Sequence, residues 1–244
     1  MEKNPVIQVY KKDSLYSYAA GAYAVYELLS ARPEMVEAVY IHSGFTGAGH
    51  LESLCRDKKI TVTRGDKAFK RINSKENTYA AASFRKYYGT LSSDEPQIVL
   101  VNPSDMGNLG SSIRTMVGMN IMNLAIISPA ADIWHPKTIR ASMGAIYRIE
   151  FELFSSFTQY RKRFSKHDLF PFFIDGQIRL SVNNCPRSER YALIFGNEGT
   201  GLPSELKNAG TTIQLAQSAN VDSMNLSVAI GIGAFIFSCS NGRL

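Results

Sequence analysis

An apolar run that breaks into a glycine-rich loop constrains the fold of this 244-residue chain more than any other segment. Residues 191–195 are all apolar or aromatic, which predicts a buried strand, and three glycines follow at positions 196, 199 and 201. Pro203 then favours the start of a helix. Because glycine has no Cβ, such a loop lets backbone groups approach a ligand closely. Taken alone, the segment leaves an ordinary strand-to-helix turn open as the alternative.

The loop differs from the two common phosphate-binding patterns. It lacks the Gly-Lys-Ser/Thr ending of a Walker A loop, and its glycines stand in a different order from those of a dinucleotide-binding turn. Glu198, in the middle of the loop, would repel a phosphate. We therefore expect a neutral or cationic ligand at this point.

Two further segments repeat the order of apolar run, polar loop and helix start. Residues 108–114 follow the apolar run 98–101, and residues 222–229 follow 212–215. In open α/β sheets, ligands bind beyond the carboxyl ends of the strands, where such loops meet. Unbroken apolar runs are typical of a parallel sheet covered on both faces. Strands are predicted at 98–101, 124–128, 170–174, 191–195 and 212–215, and helices are predicted to start near Gly110, Pro136, Pro203 and Ser223.

A polar stretch at residues 91–96 predicts a division of the chain into two domains, 1–92 and 93–244. The first domain alternates helical and strand patterns, which predicts a small α/β module. Its elements are predicted as a helix at 16–30, a strand at 36–42, a helix at 49–58 and a strand at 60–63.

The first domain also holds a basic stretch that could bind RNA. Residues 58–75 contain seven basic side chains and one acidic one. A solvated helix face explains these charges equally well, and core packing explains the interleaved aromatic residues better than base stacking does. The candidate RNA-binding residues of this stretch are Arg64, Lys67, Lys70 and Arg71.

Composition favours an acidic partner and a reducing compartment. The net charge is +6, which favours RNA, and it divides into +3 on each side of residue 96. Three dispersed cysteines predict a reduced, cytoplasmic chain without a zinc site, and the four histidines lack metal-ligand spacing, so we expect no metal. The longest apolar run, 228–237, is too short to span a membrane.

In this order and spacing, the three loop segments resemble the motifs of the SpoU/TrmH family, in the SPOUT class of RNA methyltransferases. The first motif matches Asn108, Gly110 and Arg114, the second matches residues 197–201, and the third matches 223–225. The resemblance covers residues 97–244 and includes a Ser-x-Gly-Ala turn at 142–145.

The chain departs from the family pattern in three places. Gln214-Leu-Ala216 replaces the usual Ile-Pro-Met, and Met224 replaces the leucine of Ser-Leu-Asn. Both changes keep backbone contacts and roughly keep the apolar volume. In the first domain, residues 77–80 replace a His-Gln-Gly stretch, which bears on how that domain reads RNA.

The resemblance implies an α/β fold class: a C-terminal SPOUT-type parallel sheet with a deep trefoil knot, plus a small N-terminal substrate-binding domain similar to a ribosomal protein. It also implies transfer of the methyl group of S-adenosylmethionine (AdoMet) to a ribose 2′-hydroxyl of RNA, foremost ribosomal RNA of the 23S type, by a homodimer. Transfer RNA is the alternative substrate. A non-catalytic RNA-binding or ribosome-assembly protein of the same fold is the alternative function.

The resemblance assigns roles to individual residues as well. Because arginine stays protonated, we expect Arg114 to clamp an RNA phosphate and stabilise developing negative charge rather than act as a base. Glu198 is expected to stabilise the cofactor's positive charge or to fix the loop. Asn108 is expected to cap its helix or to contact the substrate, and Ser223 and Asn225 are expected to combine helix capping with their site roles. The catalytic candidates are Arg114, Asn108, Ser223, Asn225 and Glu198. The cofactor-binding candidates are Phe195, Gly196, Asn197, Glu198, Gly199, Gly201, Ile213, Leu215, Ser223, Asn225 and Leu226.

Overall fold

The structure, a computed structural model, describes residues 9–71 and 78–244. In this part of the chain the strands are β1 (Tyr16–Ala20), β2 (Val36–Ile41), β3 (Thr61–Arg64), β4 (Ala80–Arg85), β5 (Gln97–Val101), β6 (Asn123–Ile127), β7 (Glu150–Phe154), β8 (Asp168–Pro171), β9 (Ile178–Arg179), β10 (Tyr191–Phe195) and β11 (Ile213–Gln214). The α-helices are α1 (Ala22–Ala31), α2 (Ala48–Asp57), α3 (Lys67–Arg71), α4 (Met106–Gly118), α5 (Pro136–Ala141), α6 (Phe157–Arg163) and α7 (Leu226–Ser240).

The chain forms two compact units whose limits differ from the predicted division at residue 92. Unit 1 comprises Met1–Tyr87 and Asp132–Arg148, and unit 2 comprises Tyr88–Ala131 and Ile149–Leu244. The segment 132–148, which the sequence placed in the second domain, groups with unit 1 because its aromatic side chains pack there. The Trp134 ring lies 5.4 Å from the Phe84 ring and 4.7 Å from the Tyr87 ring.

Unit 1 is built on a four-stranded sheet in the order β1-β4-β2-β3. Strand β4 runs antiparallel to β1 and β2, and β2 runs parallel to β3. The predicted strands at 36–42 and 60–63 and the predicted helix at 49–58 are confirmed as β2, β3 and α2. The predicted helix at 16–30 is wrong in its first third, because residues 16–20 pair with β4 as an edge strand before α1 begins.

Unit 2 contains a five-stranded, all-parallel sheet in the order β7-β6-β5-β10-β8. Every residue of β5, β6 and β10 is buried, which agrees with the unbroken apolar runs of the sequence. The short strands β9 and β11 pair with each other, and Phe172 bridges to Ile213 beyond the end of β8. The predicted parallel α/β architecture of this part of the chain is confirmed.

Several predicted helix starts shift by a few residues, because a nearby polar side chain caps the helix instead. Helix α4 begins at Met106, before the expected Gly110, since Asp105 accepts a hydrogen bond from the Asn108 amide. Helix α7 begins at Leu226 rather than near Ser223. Helix α5 begins at Pro136 as predicted. After Pro203 the chain forms only a short 3₁₀ helix, Ser204–Asn208.

Candidate active site

The site lies where the direction of strand addition reverses in the sheet of unit 2. Strands β5 and β10 are parallel neighbours; the sheet extends from β5 through β6 to β7 on one side and from β10 to β8 on the other. Loops that leave such a pair of strands diverge and open a crevice beyond their carboxyl ends. Here these are the residues 102–105 after β5 and the glycine loop, residues 196–201, after β10.

The glycine loop is held together by its own hydrogen bonds. Asn197 and Gly201 exchange two backbone hydrogen bonds, of 3.1 and 2.9 Å, and the Asn197 side-chain oxygen accepts from the amides of Gly199 (2.9 Å) and Thr200 (3.1 Å). A Cβ at Gly196 would lie far inside the contact distance of the Gly201 backbone, and Gly201 has a φ of +70°. The fold therefore requires glycine at these two positions, whereas a Cβ at Gly199 would meet no backbone atom within 4 Å.

Glu198 fastens the glycine loop to the start of α4. Its carboxylate accepts hydrogen bonds from the Ser104 amide (3.1 Å), the Ser104 hydroxyl (2.9 Å) and the Asp105 amide (3.2 Å). Partial burial raises the pKa of Glu198, but the hydrogen bonds from Ser104 and Asp105 outweigh it, so the pKa lies below its usual value. Of the two roles expected for Glu198, this geometry matches the fixing of the loop.

A chain of side-chain hydrogen bonds joins the three sequence segments. The Asn225 amide nitrogen donates to the Asn108 side-chain oxygen (2.8 Å), and the Asn108 amide nitrogen donates to the Glu198 carboxylate (3.4 Å). These residues are separated by 117 and 90 positions along the chain. The fold thus brings together polar residues that the sequence could associate only through the resemblance.

The structure corrects two expected helix caps. Asp105, not Asn108, caps α4, and Asn108 lies within the first turn of that helix. Of Ser223 and Asn225, both expected to combine capping with a site role, it is Asn225 that caps α7: its side-chain oxygen accepts from the Ser227 amide (2.9 Å) and the Ser227 hydroxyl (2.7 Å). Capping and site contact therefore coincide in Asn225, whose amide nitrogen faces Asn108.

A cavity of about 450 Å³ opens beside these residues. All predicted cofactor-binding residues line it except Ile213, which is fully buried behind its wall. Asn108 lines the cavity as well. The sequence missed part of the lining, namely Phe172, Phe173, Ile174, Thr200, Gln217, Met224 and Ala229. Three of these follow β8 directly, and the apolar run 170–174, which the sequence predicts as a strand, was the signal that could have drawn attention to them.

The apolar wall of the cavity is rigidly packed. The rings of Phe172 and Phe195 are stacked, with centroids 4.3 Å apart and planes at 22°. A Cβ at Gly233 of α7 would approach the Phe172 ring to 2.7 Å, so the helix can lie against this pair only because that position is glycine. A flat, apolar ligand group could pack on such a wall.

Arg114 does not line the cavity of its own chain. It is exposed on α4, and six helical residues turn through about 600°, which leaves it roughly 120° around the helix from Asn108. Among the described residues it has no acidic partner within ion-pairing distance. Its guanidinium is therefore available to a group outside the chain.

The candidate RNA-binding residues of unit 1 differ in their availability. The Arg64 guanidinium binds both carboxylate oxygens of Glu52, at 2.6 and 2.8 Å, which occupies its planar fork. Lys67 is exposed at the start of α3. The side chains of Lys70 and Arg71 lie outside the part of the structure in which side chains are described. Four aromatic residues are interleaved with these basic residues: Phe69, Phe84 and Tyr87 are buried core residues, whereas Tyr88 is exposed.

Two classes of feature are absent from the described residues. Within 9–71 and 78–244, no group of three or more histidine, cysteine or acidic side chains is arranged to hold a metal ion. In the same ranges no helix combines the length and the apolar character needed to cross a membrane. The three cysteines are free thiols.

Comparison with known families decides the affiliation of the chain. The sequence model of the SpoU rRNA Methylase family matches residues 95–235, more than half of the chain. The chain belongs to this family. The match covers all three loop segments of the site and the whole parallel sheet of unit 2.

Known proteins similar to this member of the SpoU family include RNA methyltransferases. The chain is 26% identical over 129 residues to the 23S rRNA (guanosine(2553)-2′-O)-methyltransferase RlmP of Bacillus subtilis, a match that covers 52% of each protein. The chain spans about half the length of the curated relatives it matches.

Solved structures extend the likeness to nearly the whole chain. An AdoMet-bound rRNA methyltransferase from Sinorhizobium meliloti aligns with a TM-score of 0.76 at 22% identity, over 91% of this chain and 86% of that one. The SpoU methyltransferase AviRb from Streptomyces viridochromogenes, in complex with AdoMet, aligns with a TM-score of 0.79 at 15% identity, over 92% and 90%. The fold is therefore an α/β fold with a mostly parallel sheet, similar to that of SpoU methyltransferases.

Proposed function

We propose that this SpoU-family protein transfers the methyl group of AdoMet to a ribose 2′-hydroxyl of RNA. The observation that carries the proposal is the hydrogen-bonded chain Asn225–Asn108–Glu198 at the mouth of a cavity beyond β5 and β10. Family membership and the 2′-O-methyltransferase RlmP among its relatives support it. The substrate we propose is ribosomal RNA of the 23S type.

The cavity fits AdoMet in size and in the chemistry of its walls. Its volume of about 450 Å³ falls in the usual range for small-molecule sites. Phe195, Leu215 and Leu226 would hold an adenine ring, and Asn197, Ser223 and the glycine loop the polar parts. The amides of residues 197, 199, 200 and 201 already donate within the loop, and the carbonyl oxygens of Asn197 and Gly201 accept there, so we expect a ligand to use carbonyl oxygens of the other loop residues. Bound AdoMet supplies an activated methyl group.

The residues around the cavity divide the remaining tasks. Each asparagine amide nitrogen carries a second hydrogen, which Asn108 and Asn225 can donate to a ribose or cofactor oxygen. Glu198 is a poor candidate for the base, because both its oxygens accept hydrogen bonds and its pKa is lowered. Arg114 would hold an RNA phosphate and stabilise negative charge that develops on the attacking hydroxyl, the proton leaving to that phosphate or to water.

We propose that the protein works as a homodimer in the cytoplasm and that its C-terminal segment forms the family's trefoil knot. An apolar stripe on α7 supports the dimer: Val228, Ile232 and Phe235 are exposed at i, i+4 and i+7 spacing, which places them on one face of the helix. A Phe235→Glu variant should sediment as a monomer, whereas an unchanged dimer would exclude this helix face from the interface.

A non-catalytic RNA-binding or ribosome-assembly protein is the second candidate. The exposure of Arg114 outside the cavity favours it, because the expected phosphate clamp is not aligned with the other polar residues within one chain. Such a protein would bind AdoMet, RNA or both without transferring a methyl group. Transfer RNA remains the alternative substrate for the enzyme.

The proposal is tested by incubating the purified protein with methyl-labelled AdoMet and unmodified total RNA, and then separating the RNA by size. We expect label in the large ribosomal RNA. Label in the transfer RNA fraction would change the substrate. No label, together with AdoMet binding in a calorimetric titration, would favour the non-catalytic candidate.

A further inference from the structure

The two compact units carry very different net charges. Unit 1 contains 17 basic and 10 acidic residues, a net charge of +7, whereas unit 2 contains 10 basic and 11 acidic residues, a net charge of −1. A division at residue 96 hides this difference, because it assigns Asp94 and Glu95 to the wrong unit and separates the basic segment 132–148 from its unit. Electrostatic attraction of a polyanion therefore falls on unit 1.

Part of this charge gathers where the segment 132–148 meets the N-terminal residues of unit 1. We name this region the insert surface and define it by its five basic side chains, Lys11, Lys12, Lys86, Lys137 and Arg140. Four of them are exposed, and Lys86 is half-buried.

Tyr10 joins the two parts of the insert surface. The Lys86 ammonium lies 4.6 Å from the centre of the Tyr10 ring and donates to the Lys12 carbonyl oxygen (2.7 Å). On the side of the inserted segment, the Tyr10 ring meets the His135 ring edge to face at 5.3 Å, and its hydroxyl donates to Asp132. These contacts hold the Lys86 ammonium over the Tyr10 ring and tie the N-terminal residues of unit 1 to the inserted segment.

Two acidic residues of the described part of the chain, Asp132 and Asp13, act on this surface. Asp132 accepts from the Tyr10 hydroxyl and the Trp134 amide (3.0 Å). Asp13 is the other acid that acts on Lys86. His135 lies close enough to both Lys137 and Arg140 to feel their charges: burial lowers its pKa, Asp132 opposes this, and the two cations lower it further. With Asp13 and Asp132 counted, the insert surface keeps a net charge of +3.

Part of the basic stretch predicted from the sequence is already engaged by other groups of unit 1. In it, Arg64 is bound by Glu52, and the Asp66 carboxylate lies 3.6 Å from the His42 ring nitrogen and accepts from Ser43. We propose that the insert surface, rather than this stretch, binds the phosphates of the RNA substrate. The inference rests on the proposed function and names the part of unit 1 that holds the RNA backbone. An acidic protein partner is the outcome to be distinguished from it.

The test replaces three exposed cations of the insert surface in one variant, Lys12→Gln, Lys137→Gln and Arg140→Gln. The matched comparison variant, named the control variant, replaces three exposed cations at the end of α2, Arg56→Gln, Lys58→Gln and Lys59→Gln; it removes the same charge from the same unit, and two of its positions belong to the basic stretch 58–75. A charge-preserving variant carries Lys12→Arg, Lys137→Arg and Arg140→Lys. Binding of a fluorescent 20-nucleotide oligouridylate is measured as a function of salt, and AdoMet binding is measured by calorimetry.

Removing three phosphate contacts should lower the slope of log K against log salt by about 2, since each contact to a single strand contributes roughly 0.7. If the affinities converge at 1 M salt, the insert-surface variant binds about 100-fold more weakly at 0.1 M. The charge-preserving variant should retain the affinity. In the control variant the slope should fall by less than half as much as in the insert-surface variant. AdoMet affinity should stay unchanged in all three variants.

An unchanged salt slope in the insert-surface variant, or an equal loss in the control variant, would overturn the inference. The inference would also be overturned if the insert-surface variant kept its RNA binding but lost binding to an acidic protein. Failure of the proposed function looks different: the wild-type protein itself would then transfer no methyl group to RNA. If the wild-type protein transfers methyl groups and the insert-surface variant binds RNA as well as the wild type does, only the proposed role of the insert surface is refuted.

Discussion

Asn225 gives the sharpest prediction, because one side chain both caps α7 and completes the hydrogen-bonded chain of the site. Its oxygen accepts from Ser227 at 2.9 and 2.7 Å, and its nitrogen donates to Asn108 at 2.8 Å. The two roles can be separated by substitution. Asn225→Ala removes both. Asn225→Ser keeps a capping oxygen but cannot reach Asn108, because its hydroxyl lies one bond closer to the backbone than the amide nitrogen.

The expected magnitudes follow from these contacts. Loss of the cap costs about 1 kcal/mol of unfolding free energy, which corresponds to a fall in Tm of roughly 2–4 °C for Asn225→Ala. Asn225→Ser should unfold within about 1 °C of the wild type, because serine and asparagine cap equally well. The bond to Asn108 is solvent-exposed, so its loss should cost little unfolding free energy, whereas in the transition state, where bound substrate excludes water, we expect it to contribute about 1–3 kcal/mol. Both variants should therefore lose roughly 5- to 150-fold in kcat/KM for methyl transfer.

Calorimetric unfolding and single-turnover methyl transfer measure the two effects on the same preparations. Activity in Asn225→Ser close to that of the wild type would refute the role of the Asn108 contact. Equal losses of Tm in the two variants would instead show that the cap seen at Ser227 does not stabilise the helix.

Three further outcomes are expected. Gly196→Ala should weaken AdoMet binding at least tenfold, because its Cβ would overlap the Gly201 backbone. Gly118→Ala, with open space around its Cβ, should bind AdoMet as the wild type does. Equal AdoMet affinities of the two variants would contradict the rigid loop. Arg114→Lys keeps the charge but loses the planar fork, so kcat/KM should fall about tenfold or more at unchanged AdoMet affinity, and near-wild-type transfer would exclude bidentate phosphate binding. His167 is 2% exposed and burial lowers its pKa, against an opposing hydrogen bond to the Glu95 carbonyl. Folding therefore favours the neutral form of His167. Its contribution to the free energy of unfolding is complete above pH ~6.5 and is lost as the pH falls below that value, by at most about 1.4 kcal/mol per pH unit. In chemical denaturation between pH 7 and 5, a His167→Gln variant should lose less stability than the wild type, and an identical pH dependence would count against this reasoning.

The elements that the sequence predicts well are those whose signal is local. Strand β10 has the predicted limits, because five consecutive apolar residues are bounded by Gly196. The requirement for glycine at 196 and 201 also follows from local geometry, since both serve one tight loop. The same holds for Pro136, which opens α5.

The elements that the sequence misses depend on distant partners. The tyrosines and alanines of residues 16–20 also fit a helix, and only pairing with β4, more than sixty positions away, makes these residues a strand. The segment 132–148 gives no local sign of its unit, because Trp134 and Tyr147 reach their partner Phe84 across about fifty or more residues. The choice of Asp105 over Asn108 as a cap likewise depends on where β5 ends, since both residue types cap helices well.

The central claim, methyl transfer to a ribose hydroxyl, is tested most directly by alkaline digestion of RNA labelled by the wild-type protein from methyl-labelled AdoMet. A 2′-O-methyl group removes the hydroxyl that attacks the neighbouring phosphodiester, so the account predicts that the label is recovered in alkali-resistant dinucleotides. Label recovered in single nucleotides would place the methyl group on a base and contradict the claim.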